Sequence, residues 1–261
     1  MRKNVWLVLG LGFALVSGRA ALADVWDVQT QSDNTVSTEN ELVHGSDQLH
    51  DLGALPGPAA DNDWYRISQK PFSSYEIVAD ATSGDIGTTL SVFRTDAAGA
   101  PVQTSVAVGV GYSRSLRWIN ATSGSEDTQR VEVTSGSCTT ACGADDVYRL
   151  RAYETTYAVP RFNNSGTQVT VLLLQNPTNY PITGTVYFWS ATGTSVGTQT
   201  FNLAAKALLV LNTSTVPGAN GVSGALTIAH DGRYGDLSSK SVALEPATGF
   251  SFDTPGLPRV H

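Results

Sequence analysis

The chain of 261 residues is poor in the groups that most chemistry needs. It has two cysteines, one methionine and four histidines, His44, His50, His230 and His261. No H-E-x-x-H, Walker loop or dinucleotide fingerprint occurs, which removes the common zinc-protease, nucleotide and Rossmann readings. Bases are scarce as well: 16 Lys and Arg stand against 23 Asp and Glu, a net charge of −7. Nucleic acid and anionic membranes reward clustered Lys and Arg, so neither is an expected partner. Only one long apolar run is present, "VWLVLGLGFALV", and it is short for a membrane span.

That run reads as part of an export signal over residues 1–23. Arg2 and Lys3 precede it, and "ALA" (Ala21 to Ala23) is a small-x-small cleavage site before Asp24. Cleavage removes Arg2, Lys3 and Arg19. Sixteen bases less these three leave 13 against 23 acids, a net charge of −10. The expectation is a secreted, extracellular or periplasmic chain with no membrane insertion after cleavage. In an oxidising compartment the lone pair Cys138 and Cys142, in "CTTAC", is expected to form a disulfide that pinches a loop. Closing so short a loop stabilises by about 2 kcal/mol.

What the sequence has in quantity is strand grammar. From Leu42 onward, runs of four to nine residues rich in Val, Thr, Tyr and Leu alternate with clusters of Gly, Asn, Asp, Ser and Pro. In "SYEIVAD", Tyr75, Ile77 and Ala79 share one face, and Glu76, Val78 and Asp80 the other. "LAAKALLVL" (Leu203 to Leu211) could pass for a helix by composition, but it is short and uncapped, and reads as a buried strand entered from a loop. "QVTVLLLQN" is apolar on both faces and suits a central strand. The fold class expected is all-β, two antiparallel β-sandwich domains after the signal. The division is a polar arm at 24–36, a first sandwich at 37–156, an immunoglobulin-like second sandwich at 157–255 and a tail at 256–261.

Three segments carry a family likeness. Asp61 and Asp63 stand before "WYRI"; "LSVFRTDAAG" is a strand running into an acidic, glycine-containing turn; "VYRLRAYE" is a closing Tyr-centred strand. In this order, over about residues 37–156, they resemble the bacterial pre-peptidase C-terminal (PPC) domain, a non-catalytic β-sandwich appended to exported proteins. The likeness implies calcium as a possible cofactor, with Glu39, Asn40, Asp61 and Asp63 as candidate ligands. The family's E-P-N-D opening is only echoed by Glu39 and Asn40. An EF-hand is excluded, because Tyr65 and Arg66 occupy a ligand position and the required glycine position. The other reading of Asp61 and Asp63 is a turn cap bonding backbone N–H groups.

Elsewhere the candidates are weaker. "GTSVG" (Gly193 to Gly197) is a literal G-x-S-x-G, but strands flank it on both sides, so Ser195 reads as a hairpin residue and not a nucleophile. His44 and His50 flank "GSDQL" and read as surface imidazoles or, less simply, a metal pair; His230 opens the polar loop "HDGRYGDL". Tyr187 and Trp189 share a face of "TVYFWSA" and fit either a stacking strip for sugar or peptide or packing against the neighbouring sandwich. The function expected is a secreted, non-catalytic binding or accessory protein with an extracellular protein or glycan ligand. The alternatives are a structural component of a cell-surface assembly and a cryptic hydrolase.

Overall fold

In the computed structural model the described residues are 26, 33–53, 62–82, 86–108, 113–124, 126–139, 142–143 and 145–259. The signal segment 1–23 and Asp61 lie outside them. The strands are β1 (Asp47–Asp51), β2 (Asp63–Gln69), β3 (Ser73–Ala81), β4 (Leu90–Thr95), β5 (Pro101–Thr104) and β6 (Val106–Ala107). β7 (Ser113–Asn120), β8 (Asp127–Ser135) and β9 (Val147–Glu154) complete the first set. A second set comprises β10 (Tyr157–Asn163), β11 (Val169–Gln175), β12 (Ile182–Ser190), β13 (Ser195–Leu203) and β14 (Leu208–Asn212). It ends with β15 (Ser223–His230), β16 (Ser238–Glu245), β17 (Phe250–Pro255) and β18 (Leu257–Pro258).

The strands form antiparallel sheets, in the orders β2-β8-β4-β5 and β1-β9-β3-β7-β6, then β14-β11-β16-β17 and β13-β12-β15-β10-β18. The fold is all-β. Each pair of sheets closes on its own apolar cluster, one around Tyr65, Ile77, Val133 and Leu150, the other around Phe162, Leu172, Phe188 and Ile228. Alternation produces this directly. In β11, Thr170, Leu172 and Leu174 are buried while the odd-numbered residues face outward. In "LAAKALLVL" Leu203 ends β13 and a turn leads into β14 as expected, but β14 is an edge strand on which Leu208 and Val210 are 58% and 60% exposed, not a buried one. The "CTTAC" pair is bonded, Cys138 to Cys142, with Cα atoms 4.5 Å apart.

Only Thr155 and Thr156 separate β9 from β10, and both are buried. Ser74 of β3 knits the sandwiches together: its N–H donates to Thr156 Oγ1 at 2.9 Å, and its Oγ accepts from Thr155 Oγ1 at 2.8 Å and from His230 N at 3.2 Å. Glu76 accepts from Tyr234 N at 2.8 Å. Phe72 forms an apolar wedge, its ring 4.8 Å from Tyr187 and 5.0 Å from Trp189.

Phe72 adopts φ +52°, a left-handed conformation that L side chains resist. It sits after Pro71 in the β2–β3 turn, where glycine would be unstrained. Packing of the ring holds it there. Phe72→Ala loses the wedge and keeps the strain; Phe72→Gly loses the wedge and relieves about 1 kcal/mol. Urea unfolding should therefore rank wild type above Phe72→Gly, and Phe72→Gly above Phe72→Ala, the reverse of the ordinary Ala/Gly order.

Candidate metal centre

The segment after Asp33 runs along the open edge of β2. Trp64 N donates to Asp33 O at 2.6 Å, Arg66 N to Asn40 O at 2.9 Å and Leu42 N to Arg66 O at 2.9 Å, and Glu41 bridges Arg66 in parallel. This cover satisfies an edge that would otherwise offer bare N–H and C=O groups. It also carries the Asp33 carboxylate to the start of β2. There Asp63, in phase with Tyr65 and Ile67, points into the sandwich with them. β1 supplies His50, whose ring stacks on Tyr148 at 5.6 Å and meets Tyr65 edge-on at 5.2 Å.

Asp33, His50 and Asp63 thus converge from three segments. One ligand atom of each lies within 4.8 Å of the others. Their exposures are 0%, 1% and 1%. Hydrogen bonds fix the imidazole: Gln48 donates its amide to Asn40 Oδ1 at 3.3 Å, which leaves Gln48 Oε1 to accept from His50 Nε2 at 2.9 Å. With the proton on Nε2, the Nδ1 lone pair faces Asp33 Oδ2 at 3.4 Å. Neither Asp33 oxygen receives a hydrogen bond. On the other side the Tyr148 hydroxyl donates to Asp63 Oδ2 and lies 2.6 Å from the Tyr65 hydroxyl. Burial pushes the Tyr148 phenol well above its ordinary value, and the neighbouring Asp63 and Tyr65 push it further. It stays a neutral donor.

Electron pairs on two carboxylates and an imidazole, aimed together in a dry site, need a cation between them. A proton on Nδ1 supplies one, making an Asp–imidazolium–Asp bridge; a divalent metal supplies another. The donor set decides which metals fit. Calcium takes six to eight oxygen ligands. One nitrogen and two carboxylates are the donors of zinc and neighbouring transition ions. The residues present suit that class and not calcium.

Of the four residues that the family likeness implied as calcium ligands, only Asp63 is in this cluster. Glu39 is at the surface, its side chain 59% exposed and paired with Arg66 at 2.5 Å. Asn40 is buried, but its Oδ1 faces Gln48. Asp61 lies outside the described residues. Sequence reasoning missed Asp33, placed in an arm of weak pattern, and took His50 for a surface residue. A signal for His50 was present: it is in phase with Gln48 and Leu52, and Leu52 is fully buried.

The remaining candidates are engaged structurally. His44 accepts from Glu154 N at 3.0 Å and lies against Tyr153 and Tyr234. His230 is fully buried, its Nδ1 accepting from Gly232 N at 3.1 Å. Asp231 takes both Thr183 N and Thr183 Oγ1, and Asp236 takes the Tyr180 hydroxyl. Ser195 opens β13, directly after the hairpin from β12. Tyr187 is 5% exposed beneath Phe72, and the Trp189 indole donates to Thr227 Oγ1 at 3.0 Å.

No protein-family profile and no curated protein matches the chain. Among solved structures it is similar to the pre-peptidase C-terminal domain of collagenase from Bacillus anthracis, at 10% identity and TM-score 0.32, over 43% of this chain and 92% of that one. It is also similar to the extracellular region of zebrafish Gpr126/Adgrg6, at 11% identity and TM-score 0.26, over 82% of this chain and 30% of that one. A third likeness is to Bacteroides uniformis beta-glucuronidase, at 12% identity and TM-score 0.20, over 80% and 32%. The chain spans less than a third of each of the last two. Scores this low leave the reading of the site to its own side chains. No helix among the described residues is long and apolar enough to cross a membrane.

Proposed function

We propose that this chain is an exported, non-catalytic accessory or binding protein whose first sandwich is fastened by a divalent transition metal at Asp33, His50 and Asp63. The observation that carries the reading is the fully buried Asp33 carboxylate, held without a hydrogen bond against an imidazole lone pair. A metal there joins the edge-covering segment to β1 and β2, so its chemistry is structural. It supplies binding energy to the native state alone. The PPC-like order of "DNDWYRI", "LSVFRTDAAG" and "VYRLRAYE", the export signal and the close Cys pair support an extracellular or periplasmic setting.

The histidines are engaged structurally. His50 is enclosed by Tyr65 and Tyr148, His230 is shut between the sandwiches, and His44 caps a backbone N–H. His44 lines a surface cavity that also holds Ser68, but its Nδ1 is already engaged by the Glu154 N–H. Broad peptide, ester and glycoside panels should show no turnover with the metal-loaded protein. Turnover abolished by His44→Ala or His230→Ala, with folding intact, would make it a hydrolase instead.

A further inference from the structure

The two faces of the second sandwich are treated unequally. The outer face of β13-β12-β15-β10-β18 is covered by the first sandwich, through Phe72 on Tyr187 and Trp189. Among the described residues, the outer face of β14-β11-β16-β17 has no such cover, yet it is the more aliphatic. β11 turns Val169, Val171 and Leu173 outward, and pairing places Val210 beside Leu173, Val242 beside Val171 and Leu244 beside Val169. Leu208 extends the stripe at one corner. The result is a continuous diagonal of branched aliphatic side chains across three strands, bordered by Gln175, Ser238, Asn212 and Ser251. Apolar residues scattered singly at a surface are ordinary, whereas a contiguous stripe of this kind is often functional.

We infer that this face is a two-fold dimer interface, occupied by the same face of a second copy. Charge selects the occupant. The charged groups on the face are Lys240 and Asp253, which pair with each other at 2.7 Å and leave it neutral. A membrane surface would call for clustered bases, and a charged partner for an excess of one sign. A neutral apolar stripe with a polar border is complementary to itself when turned about a two-fold axis. Size sets the strength. Strand spacing and the two-residue repeat give each outward side chain roughly 30 Å² of face. About fourteen such positions offer roughly 400 Å² per copy, or roughly 800 Å² in total, under the floor of about 1,000 Å² for a stable specific interface. The dimer is therefore weak and concentration-dependent. The inference is independent of the metal centre.

Sedimentation velocity on the mature protein across a wide concentration range tests it. Wild type should shift from monomer toward dimer as concentration rises. Val210→Glu, at a 60% exposed edge position, should weaken association about tenfold or more with no loss of melting temperature. Thr198→Glu, on β13 in the other sheet, should leave association unchanged. A short amine-reactive cross-linker gives a second readout on wild type alone: a Lys240–Lys240 link arises only between copies and should exceed any Lys206–Lys206 link. A strict monomer at every concentration overturns the inference. So does a dimer indifferent to Val210→Glu that yields no Lys240–Lys240 link.

Discussion

Asp33→Asn is expected to change the sign of its effect on stability according to whether metal is present. In chelator, the substitution removes one of two buried carboxylates that face each other across His50, and the variant should be as stable as wild type or more so. With excess zinc, wild type gains the binding free energy of the native state, about 2.7 kcal/mol when free metal is 100-fold above the dissociation constant. For a chain of this size that corresponds to a rise of roughly 5–10 °C in melting temperature. Asp33→Asn forfeits most of the gain, because a neutral amide is a poor ligand. His50→Ala should also abolish the metal response. It differs in chelator, where it leaves a cavity between Tyr65 and Tyr148 and lowers the melting temperature. Asp63→Ala is the harshest change, since it also strips the Tyr148 hydroxyl of its acceptor. Equal destabilisation of Asp33→Asn with and without metal would assign the cluster to an Asp–imidazolium–Asp bridge.

Acid should loosen the joint between the sandwiches through His230. Burial holds its imidazole down to about 4, against an ordinary value of 6.5, and the Thr155 backbone, with Asp231 and Asp236 behind it, only partly opposes this. Above pH 6.5 the ring is neutral both folded and unfolded, and the native state keeps its full advantage. As pH falls from 6.5 toward 4, the unfolded chain takes up a proton that the folded chain refuses, so stability declines. Below about 4 both states carry the proton and the decline from this residue ends. The gap between the two values corresponds to about 3 kcal/mol. His230→Asn keeps an acceptor for Gly232 N and removes the titration. The difference between wild type and His230→Asn in urea midpoint should then shrink or reverse between pH 7 and pH 4.5. A constant difference across that range would show that His230 does not report acidification. Because His230 N also bonds Ser74 of the other sandwich, the same acid step should expose Trp189 and shift its fluorescence.

Sandwich strands were readable because alternation is local: Tyr75, Ile77 and Ala79 on one side of β3 are visible from three letters spaced two apart. Neighbouring apolar strands fix their partners by burial, so the fold class follows from such patterns. The candidate site was read at Asp63, through the family likeness, while the phase of His50 with Leu52 was a second local signal for an inward side chain. Asp33 reaches the site by backbone pairing along β2, and such pairing depends on which edge is open and not on the side chains of residues 33–42. Phe72 was illegible for a related reason. Its left-handed backbone is held by Tyr187 and Trp189, more than a hundred positions away, and no local rule places an aromatic there. The double apolar character of "QVTVLLLQN" correctly gave a central strand, since β11 lies between β14 and β16.

Metal content is the most direct measurement of the central claim. The protein, purified without chelator and dialysed against metal-free buffer, should retain close to one equivalent of zinc or a neighbouring transition ion per chain. Asp33→Asn and His50→Ala, folded by circular dichroism, should retain almost none. Wild-type protein that emerges metal-free, fails to take up zinc on addition and melts at the same temperature with and without it would contradict a metal-fastened first sandwich.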